Sequence, residues 1–177
     1  MTPPDMHSVE FSRPVSTARL GMDAMVHQLA ASAIERAALA RRFGLVSLDR
    51  LTATVRLMRE GRDVRFAAEL VADIVQLCGV TLEPFASRVT DHSTLLYRRE
   101  APKGDLALDD EAYELLTGDT IDIGEAVAQQ LSLALPLFPR APGAAIPTDD
   151  IPGFVQVTTD QGIASHPFAE LAKLAKK

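Results

Sequence analysis

The sequence contains very little cysteine, few aromatic residues and no long apolar run. A single cysteine, Cys78, in 177 residues excludes an intrachain disulfide framework and a multi-cysteine zinc site. Tryptophan is absent and aromatic residues make up 5% of the chain, fewer than a base-stacking surface for single-stranded nucleic acid usually carries. No segment approaches the roughly 20 apolar residues that cross a bilayer, and residues 1–15 lack a signal-peptide core. We therefore expect a cytoplasmic protein with no membrane contact.

The charged residues are distributed unevenly along the chain. The net charge is −6, which disfavours tight binding to nucleic acid irrespective of sequence. Residues 32–65 carry eight arginines against four carboxylates, whereas residues 100–125 carry nine carboxylates against one lysine. These two stretches predict a bipolar molecule with separate basic and acidic patches. A solvated surface with local ion pairs is the alternative for each single arginine.

A first helix is predicted over residues 30–43, in the segment "SAIERAALARRFG". Ser32 and Glu35 have the spacing of a capping box at its start. Gly44 fits the left-handed position just after a helix end.

A long β-hairpin is predicted around Glu60-Gly61-Arg62. Apolar residues alternate with polar ones on both sides of this turn, which indicates strands with one buried face. The second strand also has helical composition, but the matching alternation favours a strand. The segment "FASRVTDHSTLLYRRE" predicts a third strand. The alternating apolar positions are Leu51, Ala53, Val55 and Leu57 before the turn and Val64, Phe66, Ala68, Leu70, Ala72 and Ile74 after it.

A second helix is predicted at "GEAVAQQLSLAL", after a short strand at "DTIDI". Asp122 and Glu125 have N-cap and N3 spacing, and Ile123, Val127 and Leu131 lie on one helical stripe. We also expect an edge strand in "VEFSRPV" and a helical turn in "DDEAYELL".

These elements predict an α+β fold: an antiparallel β meander or partly closed, barrel-like sheet covered by two main helices. The predicted organisation is a single domain at 1–138, a proline- and glycine-rich linker or wrapped loop at 139–164, and a short amphipathic basic tail at 165–177. The tail is predicted to be a short helix that is too short to be stable alone in water.

Three blocks of the sequence resemble one known family. They are "VQLCGVTLEPF", "IDIGEAVAQQLSLALPLFPR" and the closing "HPFAELAKLAKK". In order and spacing they resemble the YceD family of large ribosomal RNA subunit accumulation proteins. The resemblance implies a role in ribosome assembly and brings no catalytic residues with it. Many members have a Cys-x-x-Cys pair where this chain has Cys78 and Thr81, so the resemblance implies no metal site here. Cys78 is expected to be a small buried hydrophobic residue.

Arginines dominate the residues that we expect to contact a partner. Their planar guanidinium groups suit phosphate, and the basic tail adds lysines. The predicted partner is ribosomal RNA or a large-subunit ribosomal protein. The candidate contact residues are Arg36, Arg41, Arg42, Arg56, Arg59, Arg62, Arg65, Lys173, Lys176 and Lys177.

The leading hypothesis is therefore a non-enzymatic ribosome-biogenesis factor without a cofactor, metal or small-molecule substrate. Two alternatives stay open: a small enzyme with a site among Asp119, Asp122 and His92, and a generic protein-interaction module. The histidines are not spaced as metal ligands usually are. Asp119 and Asp122 also fit a helix cap preceded by a solvent-exposed acidic segment.

Overall fold

A computed structural model describes residues 10–100 and 113–145 of the chain, which form a five-stranded sheet, a two-stranded sheet and two helices. The elements in chain order are β1 Pro14–Ser16, a 3-10 turn Thr17–Arg19, β2 Met25–Ala30, α1 Ala33–Phe43, β3 Ser47–Glu60, β4 Asp63–Leu77, β5 Pro84–Arg98, β6 Tyr113–Leu115, β7 Thr120–Asp122 and α2 Ile123–Ala134. The larger sheet has the order β2-β3-β4-β5-β6, and β1 pairs with β7. The predicted α+β class is confirmed.

The three long strands form the predicted meander. β3 and β4 pair antiparallel up to Glu60 opposite Asp63, so the turn consists of Gly61 and Arg62. Gly61 has a φ of 64°, a left-handed conformation that glycine adopts without a steric penalty. β4 then pairs antiparallel with β5 along nearly the whole length of both strands. The hairpin and the third strand are confirmed.

The alternation along these strands buries one face of the sheet. Leu57 lies opposite Phe66, and Val55 lies opposite Ala68; all four side chains are buried. Because side chains on opposite positions share a face, the apolar sets of β3 and β4 meet on one side. That face forms the core, and the other face mixes polar and charged residues with the partly buried Met58, Val71 and Val75.

Both helices begin at the caps that the sequence predicts. Ser32 and Glu35 form a reciprocal capping box on α1, and Gly44 follows its last residue in the left-handed conformation. The carboxylate of Asp122 accepts hydrogen bonds from the backbone of Gly124 and Glu125 at the start of α2. The buried stripe of α2 closes the core, and it consists of Ile123, Gly124, Ala126, Val127, Ala128 and Leu131.

A close backbone approach joins α2 to the segment before β1. A Cβ atom added to Gly124 would lie 2.3 Å from the carbonyl oxygen of Phe11 and 3.0 Å from the backbone nitrogen of Arg13. Real Cβ atoms do not come this close to backbone, so only glycine fits here. Phe11 itself is fully buried in the core, which fixes the start of the described chain against α2.

Three features of the fold differ from the sequence predictions. The large sheet is open rather than barrel-like, because β2 and β6 end it on opposite sides in the described strands. β2 itself was not predicted. Tyr113–Leu115, inside the predicted helical turn, forms β6 and pairs parallel with the end of β5. The other residues of that turn, the tail at 165–177 and most of the predicted linker lie outside the described residues, and the predicted domain boundaries stay a prediction.

Candidate functional site

The arginines at the helices are engaged in ion pairs that connect separate parts of the fold. Arg42 makes a two-pronged contact with Glu125, with N–O distances of 2.7 and 2.9 Å, and also reaches Glu10 at 3.1 Å. Arg13 makes the same kind of contact with Glu35, at 2.7 and 3.1 Å. The Arg13 guanidinium lowers the pKa of Glu35 to about 2. We call Arg13 and Arg42 the helix-side arginines, and their geometry makes them structural.

The other two candidate arginines of α1 are placed differently. Arg36 donates a hydrogen bond of 2.8 Å to the carbonyl oxygen of Ala31, so it braces the chain just before its own helix. Arg36 and Arg41 line a shallow groove of about 470 Å³ along α1 and the start of β3. Among the three candidate arginines of α1, only the side chain of Arg41 has no hydrogen bond or ion pair with a described residue.

The candidate arginines at positions 56, 59 and 65 of the hairpin contact carboxylates or a backbone carbonyl oxygen. Arg56 pairs with Glu69 across β3 and β4 at 2.7 Å, and Arg65 pairs with Glu60 at 2.7 Å. Arg59 donates to the carbonyl oxygen of Thr17 at 3.0 Å. These contacts hold strands and turns together and leave less charge for a partner than the sequence suggested.

The basic and acidic stretches of the sequence also meet in space. Arg62 pairs with Glu100 at 2.9 Å, and Arg42 pairs with Glu125. Each of these pairs joins one residue from the stretch 32–65 to one from the stretch 100–125. The expectation of separate patches is therefore wrong for these residues: folding brings the opposite charges together, where they attract each other.

A pocket of about 250 Å³ lies beside the hairpin turn, at the end of β5. We call it the tip pocket, and it is lined by Arg62, Asp63, Arg98, Arg99 and Glu100. Arg98 and Arg99 were not among the predicted contact residues. The signal was available as consecutive arginines in "LLYRRE", but the pattern there indicated only the end of a strand.

Two of the pocket's charged groups are held by specific contacts. Arg99 donates to the carboxylate of Asp119 at 2.8 Å and to the hydroxyl of Thr17 at 3.2 Å. The carboxylate of Asp63 accepts a hydrogen bond from the backbone nitrogen of Arg99 at 3.2 Å. These contacts fix one wall of the pocket.

Arg98 is the exception in the tip pocket. Its guanidinium carbon lies 5.2 Å from the centre of the Tyr113 ring, a cation–π arrangement. Its Nε atom is buried and has no hydrogen-bond partner. Within residues 10–100 and 113–145, no carboxylate pairs with it. Arg98 is thus a half-buried, oriented cation whose Nε donor is buried and has no partner.

The residues of the enzyme alternative have structural roles. Asp119 holds Arg99, and Asp122 caps α2 and accepts a hydrogen bond of 2.7 Å from the backbone nitrogen of Arg13. Burial alone would raise the pKa of Asp122, but hydrogen bonds donated by neighbouring backbone N–H groups and by the hydroxyl of Ser12 lower it. His92 lies opposite Glu69 on the sheet. The part of the chain that the structure describes has no cluster of three or more potential metal ligands.

Cys78 is fully buried, as predicted, but it is not an apolar filler. Its sulfur accepts backbone N–H groups from Val80, Thr81 and Ala141 at 3.3–3.5 Å. These donors, with Ala141 first, lower the pKa of the thiol from 9.0 to about 6. Gly79 also donates to the carbonyl oxygen of Pro139. The predicted burial of Cys78 is confirmed, and its sulfur also anchors the segment after α2 to the loop after β4.

An apolar cluster is exposed at the end of α2. Leu133, Leu137 and Phe138 are 80%, 90% and 86% exposed. Leu137 also lines a groove of about 440 Å³ together with Phe43 and Leu77. The sequence had not indicated this exposed cluster.

Residues 66–175 match the family described as large ribosomal RNA subunit accumulation protein YceD. The chain belongs to the YceD family. This membership implies a role in the accumulation of large-subunit ribosomal RNA and implies no catalytic activity. No curated protein and no solved structure matches the chain.

The range of the match divides the candidate residues of this YceD protein. It begins within β4 and includes Arg98, Arg99, Cys78 and the whole of α2, whereas Arg62 and the arginines of α1 lie before it. Lys173, Lys176 and Lys177 lie outside the described residues. Among the described helices, none is long and apolar enough to cross a membrane.

Proposed function

We propose that this YceD protein acts in the cytoplasm as a non-enzymatic ribosome-biogenesis factor. It supports accumulation of large-subunit ribosomal RNA by binding either that RNA or a large-subunit ribosomal protein. The family match over residues 66–175 carries this proposal. The alternative of an enzyme loses its support, because Asp119 and Asp122 serve an ion pair and a helix cap.

The arginines support a binding role, but not all of them equally. A guanidinium that already holds a carboxylate contributes less to a partner, since it must first give up that contact. This argument removes Arg42 and Arg56 from the proposed contact set, while Arg41, which has no such contact in the described chain, stays in it. Arg62 also stays, because its pair with Glu100 is solvent-exposed and therefore weak. Lys173, Lys176 and Lys177 remain proposed partner contacts on the basis of their charge.

A protein partner is the second candidate, and the exposed apolar cluster favours it. Exposed apolar patches mark interaction sites, and Leu133, Leu137 and Phe138 are all exposed within six residues of one another at the end of α2. A ribosomal protein with a basic rim and an apolar centre would match this cluster and the acidic total charge of the chain.

Crosslinking from cell extract at low and high salt tests the proposal. The expected result is enrichment of large-subunit RNA or large-subunit proteins, together with a loss of large-subunit RNA in cells depleted of the protein. RNA contacts should weaken steeply as salt rises, whereas apolar protein contacts should persist. Normal levels of large-subunit RNA after depletion would contradict the proposal.

A further inference from the structure

We propose that the tip pocket binds a phosphate group of the RNA backbone and that Arg98 is its principal contact. This inference rests on the proposed function, of which it selects the RNA branch. Arg98 and Arg99 were not among the arginines expected from the sequence, whereas Arg62, which also lines the pocket, was.

The charges of the pocket leave one arginine without a counterion. Arg99 is paired with Asp119, and Asp63 accepts the backbone N–H of Arg99. Arg62 is paired with Glu100. Arg98 stacks on the face of the Tyr113 ring and has no ion pair among the described residues. The carboxylate of Asp63 accepts only a backbone N–H, so the pocket offers an arginine without an ion pair rather than a net positive charge.

The orientation of Arg98 suits an anion. Stacking on Tyr113 fixes the plane of the guanidinium, so little side-chain freedom is lost when the group binds. Buried donors almost always have a partner in folded proteins, and the Nε of Arg98 has none. A phosphate oxygen would satisfy this donor, and the fork of N–H groups matches two oxygens of one phosphate.

A second arginine can turn towards the same anion. The side chains of Arg62 and Glu100 are 76% and 68% exposed, so solvent screens their ion pair and rearrangement costs little. A volume of about 250 Å³ has room for a phosphate group with part of its sugar. Binding would then place Arg98 at the base of the pocket and Arg62 at its rim.

The aromatic ring favours RNA over an acidic peptide. RNA recognition commonly combines phosphate contacts with stacking on tyrosine rings and guanidinium planes. Arg98 already covers one face of the Tyr113 ring, so a base would stack on the other face, whereas an acidic peptide would use only the charge of Arg98. A free phosphate ion shares the chemistry of the RNA backbone, and the experiment separates these two sources.

The test measures binding of the full chain to a large-subunit ribosomal RNA fragment over a range of salt concentrations. Arg98→Gln removes the charge, and Arg98→Lys keeps the charge but removes the planar fork. Arg88→Gln is the matched control. Arg88 lies ten residues before Arg98 on the same strand, so its side chain is on the same face of the sheet, about 33 Å away. Arg88 is paired with Asp73 at 2.6 Å.

We expect Arg98→Gln to weaken binding several-fold to about tenfold at low salt and to lower the salt slope by about 0.7–0.9, the loss of one phosphate contact. Arg98→Lys should keep much of the slope with reduced affinity. Arg88→Gln should bind within twofold of the unmodified protein. Circular dichroism establishes that each variant is folded.

Two results would overturn the proposal in distinguishable ways. If the protein binds the RNA and Arg98→Gln behaves like Arg88→Gln, the pocket is not the phosphate site, while the proposed function stands. If the protein joins large-subunit particles but binds no RNA fragment, the function stands through its protein branch and the pocket assignment fails.

A separate binding experiment with inorganic phosphate distinguishes a free anion from the RNA backbone. Its binding can be followed by the emission of Tyr113, since the chain has no tryptophan and only two tyrosines. Weak phosphate binding that the RNA fragment displaces supports the proposal. Phosphate binding that the RNA fragment does not displace would identify a site for a free anion and overturn the assignment to RNA.

Discussion

The helix-side arginines and Arg98 show how one residue type serves two purposes in the same fold. Arg13 and Arg42 each hold a glutamate through two hydrogen bonds. Arg98 has an aromatic ring on one side and an unsatisfied Nε atom. The difference lies in the partner that the fold supplies. An arginine with a carboxylate stabilises the protein, whereas an arginine without one is available to a ligand.

The first prediction breaks the scaffold that the helix-side arginines support. Gly124→Ala would place a methyl group against the backbone of Phe11, where no side-chain movement can relieve the clash. We expect the free energy of unfolding to fall by about 1–3 kcal/mol, the usual cost of overpacking. Urea denaturation measures this loss.

Gly21→Ala is the matched control for this prediction. An added Cβ there comes no closer than 3.9 Å to its nearest described neighbour, the backbone nitrogen of Asp23. We expect a change of less than about 0.5 kcal/mol, as for other surface substitutions. Equal stability of the two variants would show that α2 does not approach the N-terminal segment as described.

The second prediction removes one helix-side arginine. Arg42→Gln leaves Glu10 and Glu125 without their shared cation, so the free energy of unfolding should fall by about 1 kcal/mol. Arg41→Gln, one residue earlier on α1, should change it by less than about 0.5 kcal/mol. Thermal or urea unfolding of both variants measures the difference. An equal effect of the two changes would contradict a structural role for Arg42.

The third prediction concerns Cys78, another group whose role depends on its partners. Its pKa is lowered from 9.0 to about 6 in the folded state, so the unfolded chain binds more protons between these two pH values. Stability should therefore rise with pH from about 6 to 9, and the contribution should be absent below about 6. Cys78→Ala should lack this rise.

Urea unfolding at several pH values between 5.5 and 9 checks this expectation. The informative quantity is the difference between the pH profiles of the unmodified protein and Cys78→Ala, because contributions common to both proteins cancel. Parallel profiles would show that the N–H groups around Cys78 do not stabilise its thiolate.

The smallest effect on stability is expected for Arg98→Gln. This change removes no ion pair to a described carboxylate and loses only the cation–π contact with Tyr113, so the free energy of unfolding should fall by about 0.5 kcal/mol. The same measurement as for Arg42→Gln applies. A loss as large as that of Arg42→Gln would place Arg98 among the structural arginines and weaken its assignment to a ligand.

Local signals in the sequence predicted the regular elements well. Ser32, Glu35 and Gly44 delimit α1 because capping is a short-range interaction. Alternation around Gly61 predicted β3 and β4, since burial of one face requires it. In contrast, β2 depends on pairing with β3, and the interruption of its pattern by His27 and Gln28 conceals it. β6 has helical composition, and its pairing with β5 overrides that preference.

The site was less predictable, because its contacts join distant residues. The partner of Arg42 lies 83 residues further along the chain, and one donor to Cys78 lies 63 residues away. No local pattern shows which arginine will find a carboxylate. The sequence therefore indicated arginine as the candidate residue type, while only the fold separates the paired arginines from Arg98.

The most direct test of this account is the salt dependence of RNA binding for Arg98→Gln beside Arg56→Gln, in which an arginine paired with Glu69 is lost. The account predicts that only Arg98→Gln flattens the plot of log affinity against log salt, by about one phosphate contact. Equal slopes for both variants, or a lower slope for Arg56→Gln alone, would contradict the claim that an unpaired arginine marks the RNA site.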